Sequence, residues 1–198
     1  GFLGGAHPNI KGHGPAAQGN PILRGNSHIQ ENRYLTEAFA AEAADFIGRH
    51  QKDPFFLYLP FNAVHAPLEA LQKYKERFGA VQDRDRQTFC AMLSALDDAV
   101  GTVLGKLREL QLLDNTLDVC FSDNGGPTPS TTSGNGKLRG CKAEVWEGGI
   151  RVPFLAQWPV RIRPGQTYHQ PVIQLDVLPT LVAAAGAEVA PDWKLDGV

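Results

Sequence analysis

Three short stretches carry residue types suited to chemistry. "FSDNGG" sets Asp123 and Asn124 side by side, a carboxylate next to a carboxamide, directly after an apolar run. Both present hard oxygen donors, which suit Ca²⁺ or Mg²⁺ better than zinc. An Asp-Asn-Gly run is also an ordinary turn signal, because Asn and Gly tolerate positive φ. Here a two-residue hairpin is disfavoured, since the following "GPTPSTTSG" cannot be a strand. Two oxygens do not hold such a cation alone, so further carboxylates must come from elsewhere. "NAVHAP" places His65 in a short loop, and a lone loop histidine is more often a surface or capping residue than a catalyst. "LRGCKAEVWEGGIRVP" places Lys142 between a Gly-rich approach and a W-E-G-G turn. Glu147 and Arg151 in that stretch read as an ion-paired scaffold. A hard cation, an ammonium and an imidazole meeting at one point suit an anionic tetrahedral group. Cation and ammonium stabilise its oxygens, and the imidazole donates a proton to a departing alcohol. That is sulfate or phosphate ester hydrolysis.

These residues need a scaffold to bring them together. From about Glu31, apolar residues Leu35, Phe39, Ala43, Phe46 and Ile47 recur at helical steps. "DPFFLYLPF" suits a buried strand ending just before His65. Phe89, Leu93, Leu96, Val100, Val103, Leu107 and Leu110 mark a long helix, with Asp85 or Thr88 to cap it. "TLDVCF" is a second strand, running into Asp123. Residues 125–141 form a polar loop, "VPFLAQWP" a third strand, and "LDVLPTLVAAAG" a helix with Asp176 near its start and Gly186 at its end. Residues 1–30, rich in Gly, Pro, Asn and His, read as loop. Strands alternating with helices imply a mainly parallel α/β sheet, with ligands beyond the carboxyl ends of the strands.

Bulk properties narrow the class. The 198 residues are 42% hydrophobic and 20% charged, with a net charge of −2, a mix that argues against wholesale disorder. No charge block points to nucleic acid or a membrane surface, and no apolar run reads as a membrane span. Cys90, Cys120 and Cys141 form neither a zinc pattern nor a disulfide framework. Oligomeric state leaves no trace. Both ends look like cuts through a longer chain.

In this order, "NAVHAP", "FSDNGG" and "LRGCKAEVWEGGIRVPFLAQWP" resemble the central and later motifs of the formylglycine-dependent sulfatases, the arylsulfatase family. "YLTEAFAAEAADFI", "MLSALDDAVGTVLGKLRELQLLDNTL" and "LDVLPTLVAAAG" resemble the helices between those motifs. The resemblance implies an alkaline-phosphatase-like α/β/α sandwich, incomplete here. Residues 1–198 would be the central and later part of its catalytic domain, with 1–30 a loop-rich lead and 31–198 the α/β core portion.

It further implies Asp123 and Asn124 as metal ligands, with Ca²⁺ as the cation and Mg²⁺ as its alternative. Lys142 and His65 would be catalytic residues on the sulfate ester, and His7 would border the substrate pocket. The substrate would be a small-molecule or glycan sulfate ester, and the location periplasmic or secreted. The family's nucleophile is a cysteine converted to formylglycine within C-x-[P/A]-x-R, and none of the three cysteines stands in that context. It is expected upstream, as is the Asp-Asp pair that completes the metal shell. The chain alone is expected to be inactive. A phosphomonoesterase or phosphodiesterase of the same superfamily and a non-catalytic, sulfated-glycan-binding remnant are the competing readings. Cys141 and Ala143 stand where the family often has glycine.

Overall fold

The computed structural model describes residues 2–3 and 22–198; His7 lies outside them. Strand β1 (Phe2–Leu3) pairs antiparallel with β2 (Ile22–Arg24), and β2 pairs with β3 (Ser27–Ile29). The loop expected through residue 30 is therefore a hairpin over 22–29. Its turn carries Gly25 at φ 60°, and the Gly25-Asn26 pair accepts that geometry.

The helical layer follows. Helix α1 (Leu35–Arg49) starts after Tyr34 and buries Leu35, Ala38, Phe39, Ala40, Ala43 and Ile47. Four-residue α2 (Gln72–Lys75) leads through a 3₁₀ turn at Glu76–Phe78 to α3 (Arg84–Glu109). The cap of α3 is Asp83, not Asp85 or Thr88: its carboxylate accepts the Arg86 N–H at 2.6 Å. Thr88 instead sits one turn inside and bonds back to the Arg84 carbonyl. Its buried face is also rotated from the expected leucine stripe. Thr88, Ala91, Met92, Ala95, Ala99 and Leu107 are buried, whereas Leu93 is half-exposed. Small residues win because α1 packs on α3, and alanines on both helices permit a close approach.

Among the described residues, α3 is the one helix long and apolar enough to cross a membrane. It packs on α1, and its Asp98 forms an ion pair with Arg77 at 2.7 Å.

Residues 53–61 adopt no strand among the described residues, although the run has strand character. Phe56 and Tyr58 are exposed while Phe55, Leu57, Leu59 and Phe61 are partly covered, a period of two. The covered side lies on α1 through edge contacts of Phe61 with Phe39 and of Phe55 with Phe46. What it lacks is a ladder partner among the described residues.

Strand β4 (Asp118–Phe121) pairs with β5 (Phe154–Gln157). The pairing is antiparallel, Asp118 facing Gln157 and Phe121 facing Phe154, against the expected parallel neighbours. All the ladders among the described residues are antiparallel. A parallel neighbour needs a crossover back to the starting end of the sheet. The 122–153 connection instead stays at the end where β4 finishes and carries only a one-turn helix, α4 (Glu147–Ile150). A 3₁₀ turn at Gln174–Asp176 then enters α5 (Val177–Ala184), and Gly186 follows at φ 67°, just past the helix end.

Candidate active site

The loop after β4 begins where Phe121 and Phe154 stack at 5.4 Å between ring centroids. The Ser122 N–H donates to the Pro153 carbonyl, so pairing persists one step beyond the ladder. Asp123 then turns outward and is exposed. Its carboxylate accepts the Asn124 N–H at 2.9 Å, an Asx-type bond that presents both side chains at the strand end. Asn124 donates from Nδ2 to the Gly125 carbonyl at 3.0 Å. Its Oδ1 accepts no hydrogen bond among the described residues.

The Lys142 loop approaches from the other side. Gly125 donates to the Gly149 carbonyl at 2.9 Å, and Gly148 to the Arg139 carbonyl at 2.6 Å. Such backbone-to-backbone contact requires glycine: a Cβ at Gly125 would run into the Gly148 carbonyl, and one at Gly148 into the Gly140 carbonyl. This is the physical content of the W-E-G-G run. The expected scaffold pair is present, Arg151 reaching the Glu147 carboxylate at 2.9 Å. Arg139 lies over the Trp146 ring at 3.7 Å from its centroid. Ala143 takes φ 71°, so the path here is one that glycine would follow without strain.

Together these loops enclose an open depression of about 380 Å³ lined by Asp123, Asn124, Lys142, Ala143, Glu144, Gly149, Ile150 and Gln174. Three of the four residues singled out from sequence thus share one cavity. His65 does not line it. His65 is exposed in its own turn, its N–H bonded to the Asn62 carbonyl and its Nδ1 2.7 Å from the Ala66 oxygen.

Charge in the cavity is mixed. Among the described residues the Lys142 ammonium has no ion-pair partner, while the Glu144 carboxylate is engaged by the Cys141 N–H at 2.8 Å. One oxygen from Asp123 and one from Asn124 supply two hard donors of the six to eight that Ca²⁺ takes. The donor set therefore fits part of a hard-cation shell. Among the described residues no group of three His, Cys, Asp or Glu side chains completes it. At the far end of β4, burial pushes the Asp118 carboxyl up from the usual range, although Gln157 donates to it at 3.0 Å.

Two further residues belong to the site, and neither has a sequence signature. Gln174 lines the cavity and donates from Nε2 to the Asp123 carbonyl at 3.3 Å. Asn135 lies in the polar loop and ties its two sides together. A glutamine before a helix and an asparagine between glycines read as ordinary surface and turn residues.

An oxygen-donor pair just beyond β4 and a lysine from the loop before α4 thus meet on an α/β scaffold. The chain belongs to the sulfatase family, whose model matches residues 8–187. It is 41% identical over 172 residues to the steryl-sulfatase of Rattus norvegicus, covering 82% of this chain and 28% of that protein. Over 170 residues it is 42% identical to human arylsulfatase A, covering 84% of this chain and 31% of the relative. The chain therefore spans less than a third of the length of these relatives. Among solved structures, Ps i-CgsB in complex with k-i-k-neocarrahexaose superposes with a TM-score of 0.91 at 36% identity, over all of this chain and 47% of that one. PsFucS1 sulfatase from Pseudoalteromonas sp. superposes with a TM-score of 0.74 at 27% identity, over 92% of this chain and 39% of its own. The fold is accordingly the alkaline-phosphatase-like α/β fold of the sulfatases, of which these residues form a part.

Proposed function

We propose that the full-length protein hydrolyses sulfate esters carried on a glycan, and that residues 1–198 are the central and later part of a sulfatase catalytic domain. The observation that carries this reading is the shared cavity: Asp123 and Asn124 from the loop after β4 and Lys142 from the loop before α4 line one depression. The glycan preference rests on the superposition of the whole chain on a structure solved with a neocarrahexaose bound. The family resemblance favours a location outside the cytoplasm.

The Asp123 carboxylate and the Asn124 carboxamide oxygen would hold one side of a divalent cation, Ca²⁺ by family resemblance, with Mg²⁺ as the alternative. When bound, such a cation would supply neutralisation of charge on the ester oxygens, and a formylglycine from outside these residues would supply the nucleophile. The Lys142 ammonium, without a carboxylate partner among the described residues, binds an ester oxygen and gains strength as negative charge collects there. Gln174 keeps the Asp123 backbone from turning away. His65 serves as the acid for the departing alcohol on the strength of the motif, and must approach the cavity to do so.

The test pairs two assays on the full-length protein. Aryl sulfate should be turned over in preference to aryl phosphate, and a sulfated oligosaccharide better than either. Lys142→Ala should lower sulfate kcat/KM about a hundredfold or more, the scale of losing one transition-state charge contact. A preference for phosphate would move the protein to the phosphoesterases, undiminished turnover in Lys142→Ala would remove the lysine from the mechanism, and glycan binding without turnover would favour the non-catalytic reading.

A further inference from the structure

We propose that Asn135 is a positioning residue that sets the distance between the Asp123–Asn124 pair and Lys142; this rests on the site described above. Asn135 does not itself line the cavity and contributes no charge. Its carboxamide nevertheless closes the gap between the two loops that make the cavity. Oδ1 accepts the Gly126 N–H at 2.9 Å, and Nδ2 donates to the Gly126 carbonyl at 3.1 Å and to the Gly140 carbonyl at 3.0 Å. Gly126 lies two residues beyond Asn124, and Gly140 two before Lys142.

The chemistry of this position admits few substitutes. Two carbonyls and one N–H demand two donors and one acceptor in a plane, the inventory of a carboxamide. Aspartate retains only the acceptor and sets a negative oxygen against two carbonyls. Serine is too short to span both strands of the loop, and glutamine is one methylene too long. The Gly126 oxygen is the hub: it accepts from the Thr128 N–H at 3.0 Å, from Nδ2 of Asn135 at 3.1 Å and from the Lys142 N–H at 3.4 Å. The last of these is long. Without the Asn135 bridge it would be the only hydrogen bond from Gly126 to the lysine loop among the described residues. The carrier loop is itself anchored, because Arg86 of α3 donates to the Thr132 carbonyl at 2.6 Å. Asn135 thus relays the fixed position of α3 to both catalytic loops.

The experiment compares Asn135→Ala and Asn135→Asp with the wild type in the full-length protein. Asn135→Asp preserves shape and the Gly126 acceptor, and so reports even if the alanine variant fails to fold. Hydrogen exchange is read at the Gly126 and Lys142 amides, with α3 amides as the internal control. Both site amides should exchange about tenfold faster or more in Asn135→Ala, and Lys142 alone in Asn135→Asp, with α3 unchanged. Sulfate kcat should fall about tenfold or more in each variant. In a Lys142→Ala background the same substitutions should have little further effect, because Asn135 acts through that lysine. Unchanged exchange overturns the strut. Equal fold-losses with and without Lys142 overturn positioning, as a merely structural role would give. A wild-type enzyme inert on every sulfate ester overturns the proposed function instead, and the exchange comparison then decides the strut by itself.

Discussion

Helices α1 and α3 meet through side chains withdrawn from water, with Ala38, Ala43, Ala91 and Ala95 all almost wholly buried. The loops between β4 and β5 meet through backbone carbonyls, backbone N–H groups and one carboxamide, with Gly125, Gly148 and Gly149 as their buried members. The first arrangement draws on apolar burial, which is tolerant of direction and proportional to area. The second draws on hydrogen bonds whose geometry is exacting and whose net worth is small. A site that must hold an ammonium near two oxygens to within fractions of an ångström is better built from the second. The helical layer then supplies the wall to which it is pinned, by the Arg86–Thr132 bond.

This contrast is open to direct attack. The largest effect is expected from Gly149→Ala. A Cβ there would run into the Glu144 carbonyl and lie 2.5 Å from the Cys141 carbonyl, both backbone atoms that cannot swing aside. Unfolding should show a loss of about 3 kcal/mol or more, and turnover should vanish with it. Leu35→Ala probes the other region. Leu35 is fully buried, and its truncation should cost about 2–5 kcal/mol in thermal or urea unfolding. Turnover per folded molecule should stay within about twofold, because no cavity contact changes. If Leu35→Ala damaged kcat as much as Gly149→Ala, the division of labour between the regions would be false. The smallest effect belongs to Ala143→Gly. At φ 71° an alanine is strained, and glycine should raise stability by roughly 0.5–1 kcal/mol after its greater freedom in the unfolded chain is subtracted. A fall in Tm would show that the Ala143 methyl makes a contact worth more than the strain.

The same contrast explains what could be read in advance. Helical periodicity located α1 and α3, because burial of one face is written into residue type, while α5 was marked by Asp176 near its start and Gly186 past its end. Even so, the buried stripe of α3 is richer in alanine than in the expected leucines, of which Leu107 alone is fully buried: close helix packing selects small side chains, which hydropathy alone undervalues. Asp123, Asn124 and Lys142 were legible as residues of one cavity, because the first two directly follow a strand and the third stands between a Gly-rich approach and the W-E-G-G turn. Asn135 and Gln174 were not, since their roles are set by which carbonyls the fold brings within 3.3 Å, and no local pattern encodes that. The antiparallel pairing of β4 with β5 was not read in advance, for a related reason. A connection without a long helix permits an antiparallel return, and the polar 125–141 stretch is that connection. For His65 the motif and the present geometry diverge, as it lies in a self-bonded turn outside the cavity lining.

The most direct test is to crystallise the full-length protein with Ca²⁺ and sulfate and locate the metal by its anomalous signal. The account predicts an ion about 2.3–2.6 Å from an Asp123 carboxylate oxygen and from Asn124 Oδ1, with a sulfate oxygen in hydrogen-bond reach of the Lys142 ammonium. A cation bound elsewhere, or a sulfate that leaves Lys142 facing solvent, would contradict it.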